Sequence, residues 1–62
     1  MVITAEEARR AANALIDMHG LRAARVAAQR AENARIGGSN VAALNWQQIA
    51  LVIEQMQLSP RL

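Results

Sequence analysis

The stretch Ile49-Ala50-Leu51-Val52-Ile53 is an unbroken apolar run, and it constrains the fold more than any other part of the chain. Consecutive residues of an α-helix are about 100° apart, so five in a row cover its whole circumference. The surrounding segment is helical by its spacing. Val41, Leu44, Ile49, Val52, Ile53 and Met56 recur every three or four residues, and Trp46, the only aromatic residue, joins them. The pattern predicts a core helix over 40–57 that must be covered on more than one side. Leu51 and Val52 cannot share one monomer core fully with Ile49 and Ile53. A surface made of Ile49, Leu51, Val52, Ile53 and Met56 is therefore expected to be buried in part against a second copy, giving a homodimer through the last helix.

Chain length points the same way. With 62 residues the chain is at the small end of what folds unaided, where only about 60% of the unfolded surface is buried. Chains of this size add disulfides, metals or self-association. There is no cysteine, which removes disulfides and thiolate metal sites together, so association is the device left.

The sequence opens MVITAEEARR, with Glu6, Glu7, Arg9 and Arg10 where the apolar part of a secretory signal would lie; a cytoplasmic protein is expected. The apolar run is flanked by Gln47, Gln48, Glu54 and Gln55, far from the eighteen or so uninterrupted apolar residues of a membrane span. The basic residues are seven arginines and no lysine against five acids, and a net charge of +2 does not by itself imply a polyanionic partner.

Taken in order, Thr4 and Glu7 spell a capping box that starts a helix, with Ile3 placed for a weak hydrophobic staple on Ala8. Glu6 and Glu7 complement the helix dipole. Ala8, Ala12, Leu15 and Ile16 form its apolar stripe, and Gly20 is placed to close it in the left-handed conformation. This predicts helix one over 5–19. Helix two, over 21–35, is rich in alanine and carries only Leu21 and Val26 as large apolar residues, so its neighbour must supply the bulk. Ile36-Gly37-Gly38-Ser39-Asn40 reads as a break, with Ser39 or Asn40 capping the next helix. Asn45 with Gln48 offers a competing cap, but the longer helix from Asn40 keeps Val41 and Leu44 in the apolar pattern and leaves Asn45 toward solvent. Pro60 ends helix three, and 59–62 is expected to be a loose tail.

The arrangement Leu15, His19-Gly20, Ala23, Val26, Ala28, Arg30, Gly38-Ser39, Trp46 and Ile49-Ala50 resembles a family of small uncharacterised bacterial proteins best represented in alphaproteobacteria. In that family a helix ends in His-Gly, a second carries an apolar-x-Ala-x-Arg segment, and a third bears Trp followed by Ile-Ala. The chain departs by placing Ser39 where the family carries a capping aspartate and Val26 where it often has a larger residue. The resemblance implies an all-helical cytoplasmic bacterial protein and carries no activity with it.

Chemistry-bearing residues are few. His19 is the only histidine; Asp17, two residues away, is on another helical face, and no His-x-x-x-His pair exists, so neither a metal site nor an acid–base pair is built by spacing. Thr4 and Ser39 stand at cap positions that account for their hydroxyls. Gly37-Gly38-Ser39 lacks the lysine and glycine spacing of a phosphate-binding loop. Trp46 could stack on a ligand, but as the bulkiest residue it is expected in the core. Arg22, Arg25, Arg30 and Arg35, with Glu32 the one acid among them, concentrate positive charge on helix two, yet Arg30 points roughly 140° from Arg25. They form no single stripe. A helix-turn-helix reading fails because 36–59 holds no cation to meet DNA.

The sequence thus predicts an all-α, single-domain protein of three helices. It is expected to act as a non-enzymatic interaction module, self-associating or binding a partner protein, with no cofactor, metal or small-molecule substrate. The alternative is a weak nucleic-acid binder using the four arginines of helix two.

Overall fold

Three hydrogen-bonded caps fix where the helices of this chain begin and end. The computed structural model describes residues 2–58, and among these it has α1 (Ala5–His19), α2 (Ala23–Ile36) and α3 (Asn40–Leu58), with a single 3-10 turn, Gly20–Arg22, between α1 and α2 and no strand. The tail expected over 59–62 lies outside the described residues.

At the start of α1 the Glu7 amide donates to Thr4 Oγ1 at 3.1 Å and the Thr4 amide donates to Glu7 Oε1 at 2.9 Å, the reciprocal capping box written in the sequence. At the end of α2, the Gly38 amide donates to the Arg35 carbonyl at 3.1 Å and the Ser39 amide to the Ala34 carbonyl at 2.9 Å. Gly38 has φ 92°. This pair of bonds around a positive-φ glycine is a Schellman closure, which satisfies carbonyls that the helix end would otherwise leave open. Ser39 then caps α3: its Oγ accepts from the Ala42 amide at 3.3 Å.

The corner between α1 and α2 differs from the simple helix stop that Gly20 suggests. Its φ of 61° is positive as expected, but ψ is −128°, outside the left-handed helical well and in a region open only to glycine. The chain therefore reverses abruptly into the 3-10 turn, and α2 begins at Ala23 rather than Leu21. Leu21 is left 89% exposed.

Two long-range hydrogen bonds set α1 against α3. The Ile3 amide donates to Asn45 Oδ1 at 3.0 Å, and Gln57 Nε2 donates to the Gly20 carbonyl at 2.8 Å. Both ends of α1 are thus matched to the last two thirds of α3, and the two helices run parallel with α2 antiparallel between turns. Asn45, expected toward solvent, is half-buried and anchors the segment preceding α1.

The core joins Ala8, Ala12 and Leu15 of α1, Ala23 and Ala27 of α2, and Ile49 and Ile53 of α3. Ala31 and Ala43 are buried outside this cluster. Six of the nine buried residues are alanines, so close approach of backbones takes the place of volume, and α3 supplies the bulk. Trp46 is partly buried against the cluster. The molecule measures 41 × 21 × 17 Å. Since a helix with its side chains is about 10–12 Å across, the thinnest direction holds fewer than two full helix diameters. Among the described residues no further element covers α3 from outside.

Candidate interaction surface

That geometry splits the aliphatic residues of α3 into two faces. Ile49 and Ile53 point inward and are 6% and 0% exposed. They belong to the monomer's own core, so the expected partner surface of Ile49, Leu51, Val52, Ile53 and Met56 does not hold together as one face. Val52 is partly buried against the core, whereas Leu51 and Met56 are 52% and 41% exposed. The stripe drawn through Val41 and Leu44 is corrected in the same way: both are exposed, because the α1 contacts turn α3 by its Asn45, Ile49 and Ile53 side.

What lies outside has its own order. Leu44, Leu51 and Leu58 are seven residues apart and are 48%, 52% and 78% exposed. At about 100° per residue a seven-residue step drifts only about 20°, so the three leucines form a nearly straight seam along the helix. Gln48 and Gln55 flank it on one side, Gln47 and Glu54 on the other. The sequence pattern centred on the apolar run does not single out Leu44 and Leu58. Their seven-residue spacing with Leu51 was the signal available in the sequence.

Beside the seam, α2 and α3 border an open cleft of about 370 Å³ lined by Ala28, Ala31, Glu32, Arg35, Gln47, Ala50, Leu51 and Glu54. Its floor is small and apolar, and its charged residues stand on the rim. Arg35 donates from Nε and Nη2 to the two carboxylate oxygens of Glu32. The hydrogen bond and the charge of the Arg35 guanidinium hold the Glu32 carboxyl below the usual carboxylate range, and Glu32 in turn raises Arg35.

The four arginines of α2 and its approach do not converge. Arg35 is engaged by Glu32, and the Arg30 guanidinium sits over the Trp46 ring, 5.1 Å from its centroid, a cation–π contact that covers the half-buried indole. Arg22 and Arg25 are exposed, and neither has an ion pair among the described residues. On α1, Arg10 pairs with Glu6 at 3.0 Å.

His19 is half-buried at the end of α1. Its Nε2 is buried without a hydrogen-bond partner among the described residues, which is a cost to folding. The turn Gly37-Gly38-Ser39 presents no free amides to an anion, since all three donate to α2 carbonyls. Among the described residues no cluster of carboxylates and histidine is placed to hold a metal ion, and no helix is long and apolar enough to cross a membrane. No family model, curated protein or solved structure matches the chain.

Proposed function

We propose that this protein is a non-enzymatic helical interaction module that associates through the outer face of α3, along Leu44, Leu51 and Leu58. The carrying observation is that three large aliphatic residues, evenly spaced along one helix, stay about half exposed or more while the opposite face of the same helix is buried. Exposed leucines scattered singly need no explanation, but three aligned on one helix face at the seven-residue repeat are the pattern by which a helix packs on another helix. The alanine-rich core supports the same reading, because a chain that buries so few large side chains gains from burying more on association.

Nucleic-acid binding through Arg22, Arg25, Arg30 and Arg35 has less support, since two of the four are engaged within the monomer and affinity for phosphates requires several cations acting together.

Light scattering and thermal melts across a concentration series test the proposal. The expected result is a mass above that of the 6.7 kDa chain at micromolar concentration, a melting temperature that rises with concentration, and loss of both on Leu51→Glu. A monomer at every concentration, with a melting temperature that does not move, would overturn self-association through this face.

A further inference from the structure

The seam is symmetric about its own centre. Leu44 and Leu58 stand seven residues to either side of Leu51, so a twofold axis passing beside Leu51 sets Leu51 against its own copy and Leu44 against the other copy's Leu58. On these grounds we infer that the occupant of the α3 outer face is a second copy of this chain, docked antiparallel about Leu51. The inference rests on the reading of that face as an association surface and adds its partner and register.

Charge selects the antiparallel arrangement over the parallel one. Glu54 is the one ionic side chain of α3 among the described residues, and it has no ion pair among them. Both Glu54 and Arg35 line the α2–α3 cleft; Arg35 lies next to the turn that joins α2 to the start of α3, and Glu54 lies near the far end of α3, so the two stand toward opposite ends of the hairpin. In an antiparallel helix pair the same flank of each helix meets. The flank carrying α2 then faces its symmetry mate, and levels along α3 are exchanged about Leu51. The Glu54 end of one copy falls on the Gln47 and Arg35 end of the other, twice by symmetry.

Arg35 can accept this second carboxylate without giving up the first. Its contact with Glu32 uses Nε and Nη2, and a guanidinium has five N–H donors in a planar fork, so Nη1 remains for Glu54 of the other copy. A parallel pairing instead sets the α2 flank of one copy against the α1 flank of the other with equal levels opposed, so Glu54 stays at the opposite end of the pair from Arg35. The glutamines complete the register: Gln48 of one copy meets Gln55 of the other, an uncharged layer that extends the leucine line without like-charge repulsion.

The chain has no cysteine, so introduced thiols report register directly. A disulfide needs Cα atoms about 4.4–6.8 Å apart. In the antiparallel pair, a mixture of Gln48→Cys and Gln55→Cys proteins meets that condition, while Gln48→Cys alone leaves its two thiols about 9 Å apart along the axis at 1.5 Å per residue. Air oxidation is therefore expected to give a cross-linked dimer from the mixture and little from either variant alone. Glu54→Arg should weaken association by about two- to tenfold, as expected of a pair of exposed ion pairs replaced by repulsion, and Glu54→Arg with Arg35→Glu should restore it.

Efficient cross-linking of Gln48→Cys with itself, and no disulfide between the two different variants in the mixture, would overturn the antiparallel register while leaving the association surface standing. A dimer that forms normally but ignores both Glu54→Arg and Leu51→Glu would place the interface elsewhere on the molecule. A protein that is monomeric throughout removes the association reading and this inference together.

Discussion

The two faces of α3 carry side chains of the same kind, large aliphatics, and they have opposite fates. Ile49 and Ile53 are sealed against α1 and α2, while Leu44, Leu51 and Leu58 remain at the surface. Hydrophobicity does not separate them. What separates them is that α1 is held along one side of α3 by a hydrogen bond at each end, Ile3 to Asn45 and Gln57 to Gly20, and the described residues supply no further element for the other side. An apolar residue is core only if the topology brings something to cover it. Where three helices share a 62-residue chain, one face of the most apolar helix stays exposed.

The largest expected effect tests that contrast directly. Ile53→Ala removes a fully buried side chain, and truncations of this type cost about 2–5 kcal/mol, a large part of the total stability of a domain this small. Leu51→Ala, measured under dilute conditions where the protein is dissociated, should change stability by no more than about 0.5 kcal/mol, as for an exposed position. Chemical denaturation followed by circular dichroism gives both numbers. If the two variants were equally destabilised in the monomer, the distinction between an inner and an outer face would fail.

A smaller effect concerns what orients the two faces. Asn45→Ala removes the acceptor of the Ile3 amide at a partly buried position, and the loss of such a bond costs about 0.5–1.5 kcal/mol net. The readout that sharpens the comparison is hydrogen exchange: the Ile3 amide should lose its protection while amides in the middle of α2 keep theirs, since the tether and not the α2–α3 hairpin is cut. Uniform loss of protection would mean that α1 docking and hairpin formation are one event.

These features were not equally legible in the amino-acid sequence. The starts of α1 and α3 were, because Thr4 with Glu7 and Ser39 with Ala42 act within one turn, and so was the need for α3 to serve more than one neighbour. The sidedness of α3 was not. The run Ile49–Ile53 states that its residues cannot all share one core, but which of them do is decided by where α1 lies, and that depends on Asn45 and Gln57 meeting backbone groups 42 and 37 residues away. Polar residues whose partners are distant carry no local pattern, so Asn45 read as solvent-facing. The 3-10 turn was hidden for a related reason: glycine announces a positive φ, while the ψ of Gly20 is set by the direction in which α2 must leave.

The smallest expected effect belongs to the rim of the open side, where water dominates. Arg35 holds the Glu32 carboxyl below its ordinary range through a hydrogen bond and charge attraction. In the unfolded chain Glu32 titrates in the usual range, so the unfolded state binds the proton first as pH falls. The pair therefore favours the folded state above the usual carboxylate range, and this contribution is lost as pH drops through the lowered value for Glu32. Both side chains are more than half exposed, and pairs of this kind are screened by solvent and salt. Glu32→Gln should accordingly lower the melting temperature only slightly at neutral pH and low salt. The gap between variant and wild type should close in acid, where the wild-type carboxyl is protonated, and also at high salt. Melts at pH 7 and through a descending acid series, each at two ionic strengths, check all of this. A gap that persisted or widened in acid would show that Glu32 stabilises the chain by packing over the Ala28 and Ala31 floor of the cleft, and the rim would then be part of the inner structure rather than of the face left for a partner.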